Sequence, residues 1–263
     1  MQTILITGAG SGIGAATARL LSDQTDTRIL LIGRNTDSLN KVLASLKNPE
    51  IHLAQSIDIS KPGILDDFLS DTSTNLKEHP LVSVFANAGI GAPNLYDHNS
   101  GEDRVWDEII GINLTGTYRT CMATIPWLQK AKESGFKTRH IVITSSVLSR
   151  FGVPTQPAYV ASKTGLLGLV RSLATQYSRE GILINAINPG WVNTDMATIR
   201  IKEMANEANV SYEDMLTVQE SYVTTGKFSE PEEIGALVKF LFSNSQVSIT
   251  GQAIDINGGA WMG

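Results

Sequence analysis

The chain holds one cysteine, Cys121, among 263 residues, so no internal disulfide can form. Cys121 stands between Thr120 and Met122 in a stretch that reads as helix, which predicts a packed thiol rather than a nucleophile. No apolar run approaches the ~20 residues that a membrane-crossing helix needs. The opening MQTILITGAG has neither a basic n-region nor a long apolar h-region, so no secretory leader is read there. These absences predict a cytoplasmic protein with no membrane partner. Basic runs are missing too. The 21 lysines and arginines are interspersed among 26 acids, for a net charge of −5, and nothing could track a phosphate backbone, so nucleic acid is not expected as a partner. The four histidines (His52, His79, His98, His140) are scattered, and no Cys/His/Asp cluster has ligand spacing, so no metal is expected.

What remains is an ordinary globular composition, 42% hydrophobic and 18% charged, with ample material for a core. Short, nearly all-apolar runs fall at 3–7, 28–32, 51–57, 81–86, 140–145, 182–187 and 252–256. Such runs suit strands buried on both faces of a parallel sheet. Helical patterns fill the gaps at 12–23, 36–47, 62–77, 103–131, 157–179 and 231–242. Ser60 followed by Pro62 suits a helix start, and SEPEE (229–233) reads as another, with acids in the first turn. The alternation predicts an α/β fold: one doubly wound, Rossmann-type parallel sheet of about seven strands with helices on both faces, in a single domain over 1–263. The stretch 191–229 breaks the rhythm and reads as a helical insertion over one sheet edge.

The first strand runs straight into TGAGSGIG, Thr7 to Gly14, and then into a helix. Glycines there let backbone N–H groups approach a pyrophosphate at a helix N-terminus, which makes Gly8, Ser11, Gly12, Ile13 and Gly14 cofactor-binding candidates. A turn serving only tight packing is the alternative. The second strand ends in LLIGRN, where an NAD site would carry an acid; this chain has Gly33 and Arg34. A guanidinium without a carboxylate favours a 2′-phosphate, so NADP(H) is expected in preference to NAD(H), which stays possible. Asp58, at the end of the third strand, is placed either to accept from an adenine amino group or to cap the next helix.

In PAYVASKTG, Tyr159 precedes Lys163 by four residues, so the two share a helix face. A nearby ammonium favours a phenolate, and a phenol so adjusted can exchange protons near neutral pH. Carbonyl reduction needs a hydride on carbon and a proton on oxygen. The glycine loop points to the first and this pair to the second.

With these residues in view, the chain resembles the short-chain dehydrogenase/reductase family in its short one-domain branch, and within it is similar to 3-oxoacyl-acyl-carrier-protein reductases and related carbonyl reductases. The resemblance rests on seven motifs in order: TGAGSGIG, ANAG (86–89), INLTG (112–116), ITSS (143–146), YVASK (159–163), NPGWVNTD (188–195) and ITGQAIDINGG (249–259). It implies that Tyr159 is the general acid of reduction and the base of oxidation. Lys163 would grip the nicotinamide ribose and lower the tyrosine's pKa. Ser146, thirteen residues before Tyr159, would hydrogen-bond the substrate oxygen, and Ser145 would face the other way. Asn113 would hold a water that relays protons to Lys163, or else bond to nearby backbone. Asn87 and Gly89 would pack the fourth strand against the cofactor, and Pro189, Gly190, Val192 and Thr194 would bracket the nicotinamide. Two positions depart from the family pattern: Ala86 stands where an asparagine is common, and Asn257 where an aspartate is usual.

Substrate contacts are expected from 191–229, with Met196, Ile199, Met204, Met215, Leu216 and Tyr222 as an apolar lid or as docking residues, and from Phe151 and Val153 opposite. Trp261 would lie near a subunit contact or in a frayed end. The resemblance also implies a homo-oligomer, a tetramer first and a dimer second. The expected activity is hydride transfer between NADP(H) and a small carbonyl or secondary alcohol, of ketone or 3-oxoacyl type. The alternatives are an NAD-linked alcohol or sugar dehydrogenase and a non-catalytic nucleotide-binding regulator.

Overall fold

Seven short apolar segments become β1 (Gln2–Thr7), β2 (Thr27–Gly33), β3 (Leu53–Ser56), β4 (Leu81–Ala86), β5 (Arg139–Thr144), β6 (Ile182–Pro189) and β7 (Ala253–Ile256). The computed structural model describes residues 1–94 and 103–263, so His98, one of the four scattered histidines, lies outside the described residues. All strands pair in parallel, in the order β3-β2-β1-β4-β5-β6-β7. Strand alternation feeds two cores. Ile4, Ile6, Ile29, Leu31 and Val142 enter one; Leu5, Leu30, Ile32, Ile141 and Ile143 enter the other. Because both faces are covered, the strands read as apolar runs rather than alternating ones.

The first core is covered by α1 (Gly12–Ser22), α2 (Thr36–Ala44) and α10 (Pro231–Leu241). The second is covered by α3 (Ile64–Asp71), α4 (Ser73–Glu78), α6 (Thr117–Ala131) and α7 (Pro157–Tyr177). Helix α5 (Arg104–Ile109) leads into α6 through a π-helical stretch, Ile110–Gly116. The 191–229 segment forms α8 (Asp195–Ala208) and α9 (Tyr212–Ser221), with only an isolated bridge, Val192 to Ser229, of strand character. Among the described residues no helix is long and apolar enough to cross a membrane.

The expected helix at 62–77 differs in two ways. Its N-cap is Gly63, in left-handed conformation (φ 81°), because Asp58 draws Ser60 into a turn of its own before the helix can begin. It also divides at Thr72, whose hydroxyl donates back to the Phe68 carbonyl at 2.9 Å.

The strand order reverses beside β1, so the carboxyl ends of β1 and β4 border the crevice where such folds take their ligands. On β5, beneath that crevice, His140 is 2% exposed, tilted against Phe242, with neither ring nitrogen hydrogen-bonded. Burial first, and the adjacent Arg139 charge second, lower its pKa to about 4. The unfolded chain takes up this proton near pH 6.5, while the folded chain resists it until about 4, so stability is lost as pH falls through that window. His140→Leu should remove about 3 kcal/mol of acid sensitivity between pH 7 and 4. Denaturant titrations of both proteins across that range would read it.

Candidate active site

The glycine loop is dictated by close approach. A Cβ on Gly14 would run into the Gly8 carbonyl and come 2.9 Å from the Asn87 Nδ2; Gly8 itself has φ 66° and the Ala88 backbone at 2.8 Å. Only a bare backbone fits. Ser11 caps α1 in extended conformation without spending its hydroxyl on the helix. The loop thus presents Gly12 and Ile13 at a helix N-terminus, where N–H groups and dipole favour an anion. Gly12 lies against Thr194, whose Cγ2 would be 3.1 Å from an added Cβ, so the far wall of the crevice meets the loop here. Thr194 also caps α8. These residues fit a dinucleotide.

Asn87 links the loop to the middle of the sheet. Its Nδ2 donates to the Thr7 and Gly8 carbonyls at 3.3 and 3.4 Å, and its Oδ1 accepts from the Thr144 hydroxyl at 3.0 Å. Thr7 Oγ1 accepts in turn from the Asn87 and Ala88 amides.

At the end of β2, Arg34 is exposed and near enough to Asp58 for its charge to act on that carboxyl. Burial raises the Asp58 pKa, but the Ser60 hydrogen bonds and the Arg34 charge together outweigh it and leave a net lowering. Asp58 does not cap the next helix, whose N-cap is Gly63; its carboxyl holds the Ser60 turn and stands near Arg34.

Helix α7 begins at Pro157, which sets Tyr159 and Lys163 one turn apart on the sheet side. Lys163 is 4% exposed, with Nζ 5.6 Å from the Tyr159 ring centroid and donating to the Thr144 carbonyl at 2.8 Å. Ser146 is buried at the end of β5, its Oγ accepting from the Leu148 amide at 3.1 Å. Ser145 turns the opposite way and donates to the Lys163 carbonyl at 2.8 Å, tying α7 to β5.

The electrostatics correct one expectation. The sequence predicts that the ammonium lowers the phenol's pKa. In the structure burial raises it, and the opposing effect comes from the Ser146 hydroxyl. Lys163 itself falls to about 8, through burial alone, so it stays mostly charged at neutral pH.

Asn113 sits in the π-helical stretch, fully buried. Its side chain accepts from the Ile90 amide at 2.8 Å and donates to the Ile90 carbonyl at 2.9 Å and to Ser162 Oγ at 3.2 Å. That amide is a clamp on the ANAG loop, and the Asn113 main-chain carbonyl accepts from the Thr117 hydroxyl at 2.7 Å. Gly89 faces this cluster: an added Cβ would lie 3.2 Å from Asn113 Oδ1 and 3.4 Å from Lys163 Nζ.

Across the crevice, Gly190 packs on Asn257, whose Cα would be 3.0 Å from an added Cβ. Pro189 ends β6. Val192 does not bring its side chain to the site. It is 6% exposed and packs in the core with Ile234 and Val238, so only its main chain is left for a ligand.

Four residues that the sequence did not single out complete the arrangement: Thr144, Ser162, Ile90 and Gly91. Gly91 lies flat on the Tyr159 ring, 3.4 Å from Cε2 to an added Cβ, with Met196 Sδ at 3.8 Å. The repeated glycines of AGIGAP were the one available signal for it. Met196 is exposed at this point; Ile199, Tyr222 and Phe151 are also exposed and Val153 is half-buried, whereas Met215 and Leu216 dock on a small core of Ile201, Val223 and Phe228. An open depression of about 820 Å³ at the other end of α7, lined by Arg171, Arg179 and Thr250 among others, contains none of the candidate residues.

Comparison with known proteins agrees with this geometry. A family model described as short chain dehydrogenase matches residues 2–205. The 3-oxoacyl-[acyl-carrier-protein] reductase FabG of Thermotoga maritima is 30% identical, the alignment covering 98% of this chain and 97% of that one. The Rickettsia prowazekii FabG is 31% identical over 99% and 97%. Among solved structures, an actinorhodin polyketide ketoreductase with NADPH superposes with a TM-score of 0.88 at 26% identity, covering 98% and 97%. A levodione reductase gives 0.85 at 27%, covering 98% and 96%.

Gly14→Ala should weaken nicotinamide dinucleotide binding at least about tenfold, since its methyl displaces the Gly8 carbonyl and the Asn87 amide together. Calorimetric titration with NADPH and NADH measures this directly; wild-type affinity would show that the loop does not form the cradle.

Proposed function

Because the chain belongs to the short-chain dehydrogenase/reductase family, and is a nicotinamide-dependent oxidoreductase of carbonyl and CH–OH groups, we propose that it reduces a ketone or 3-oxoacyl group with NADPH, Tyr159 giving the proton. The observation that carries this is the cluster of Tyr159, Lys163 and Ser146 at the carboxyl ends of β4 and β5, one strand from the glycine loop. A binding module has no need of a buried ammonium beside a half-buried phenol.

When bound, the nicotinamide supplies the hydride in reduction and accepts it in oxidation. Gly8, Ser11, Gly12, Ile13 and Gly14 would hold its pyrophosphate, and Asn87 and Gly89 its nearer half against β4. Gly190, Thr194 and the main chain of Val192 would close over the ring. Ser146 Oγ would donate to the substrate carbonyl and hold it at the phenol. Tyr159 would protonate the oxygen as the carbon is reduced, and take that proton back in oxidation. Lys163 would exchange its bond to the Thr144 carbonyl for ribose hydroxyls, and Ser146 would favour the phenolate that forms. Asn113 would hold a water that relays protons to Lys163.

Preference for NADP(H) is supported by Arg34 following Gly33 at the end of β2, where an NAD site would carry an acid. The FabG likenesses and the ketoreductase solved with NADPH support the same choice and the 3-oxoacyl class. The exposed Met196, Ile199 and Phe151 suit a partly apolar substrate. Exposed Val105, Trp106 and Tyr118 on α5 and α6 support a homo-oligomer, tetramer before dimer.

The assay is consumption of NADPH or NADH, followed by absorbance, over a panel of simple ketones and the N-acetylcysteamine thioester of 3-oxobutanoate. Tyr159→Phe should slow turnover at least about a hundredfold while leaving cofactor affinity unchanged; full activity would sink the proton-transfer role. Arg34→Ala should raise the Kd for NADPH about tenfold and leave that for NADH unchanged, and equal losses for both would remove the argument for NADP preference.

A further inference from the structure

The loop carrying Ser146 leaves β5, makes a short turn over Val147–Ser149 and reaches Arg150. Within it, Ser149 Oγ donates to the Ser146 carbonyl at 2.7 Å and the Arg150 amide to the Val147 carbonyl at 2.9 Å. The four residues form a stiff unit, so whatever holds Arg150 also sets where Ser146 stands. Arg150 is held from three sides. Its Nε and Nη2 donate to Asp255 Oδ1 and Oδ2 at 3.2 and 3.1 Å, and Nη2 also donates to the Ala253 carbonyl at 2.9 Å. The Trp261 ring centroid lies 5.2 Å from the guanidinium carbon. That contact, and the bond from Asn257 Nδ2 to the Trp261 carbonyl at 3.1 Å, keep the tail against the loop in a place where the sequence left a subunit contact or a frayed end.

Asp255 has a second client. Its Oδ1 accepts from Asn188 Nδ2 at 2.9 Å, and Asn188 immediately precedes Pro189 and Gly190. One carboxylate therefore joins the loop that bears Ser146 to the strand end that leads to the cofactor side of the crevice. The Arg150–Asp255 pair is about a quarter exposed on each side, 26% and 25%, so it adds little to stability. A two-point fork does fix direction.

We propose that Arg150 and Asp255 are positioning residues for this reaction: through the stiff turn they hold the Ser146 hydroxyl opposite Tyr159, in register with the Pro189–Gly190 wall. The proposal rests on the reading of Ser146 given above. With the 3-oxobutanoyl thioester and NADPH, Arg150→Ala and Asp255→Ala should each lower kcat about tenfold to a hundredfold. The KM for NADPH should stay unchanged, and the double variant should be no slower than either single one. Arg150→Lys, which keeps the charge but loses the fork, should recover only part. A purely structural role would not move the pH profile. Ser146 opposes the rise of the tyrosine's pKa, so displacing it should let that value climb, and 3-hydroxybutanoyl thioester oxidation should reach half its maximum at higher pH in Arg150→Ala, as in the residual activity of Ser146→Ala. Wild-type kcat and pH midpoint in Arg150→Ala, with only a lower melting temperature and with Ser146→Ala strongly slowed, would overturn the proposal. Full activity of Ser146→Ala would overturn the reading of the site, and the proposal with it.

Discussion

A lysine ammonium kept 4% exposed is the constraint around which this site is built. Burial costs a cation several kcal/mol unless its donors are met. Here burial lowers the lysine to about 8, and one of its donors meets the Thr144 carbonyl. Much of the neighbourhood serves to keep that carbonyl in place. Thr144 is the last residue of β5, its hydroxyl bonded to Asn87; Ser145 returns a bond to the lysine's own carbonyl. The same asparagine holds the glycine loop, so the ammonium and that loop are fixed to one another through a single amide.

The architecture was legible because its causes are local. A parallel sheet covered on both faces needs apolar runs, and all seven appear at the expected places, with boundaries off by a few residues at most. A glycine loop between the first strand and the first helix, and a tyrosine and lysine one turn apart, are spacings, and spacings survive in sequence. The roles of Ser146 and Asn113 came from family resemblance; nothing in their own neighbourhoods would have supplied them.

What escaped depends on contacts distant in the chain. The π-helical stretch around Asn113 has no composition of its own; the turn widens where the buried amide must reach the Ile90 backbone, 23 residues away. The direction of the tyrosine's pKa was missed because spacing reveals a neighbouring charge but not the loss of water, and here burial is the larger effect. Val192 sits in a motif that suggested ligand contact, yet the bridge to Ser229 turns its side chain into the core.

Segment 191–229 packs largely apart from the sheet. Trp191 stacks on Phe228 at 5.2 Å between centroids, and Ile201, Val223 and Phe228 form a core separate from the two that hold the sheet. Substitutions within that small core leave the strand packing untouched. The proton-donor wall is the reverse case. Gly91 against the Tyr159 ring, Gly89 against Lys163 and Asn113, and Ser145 on the Lys163 carbonyl leave no position that can grow without moving a reacting group. The exposed side differs: there Met196 approaches Gly91 beside the Tyr159 ring with a long, adaptable side chain. The tightly packed wall is built mostly from residues that stand in motifs and the separately packed helices are not, which is why the first can be read from sequence and the second cannot.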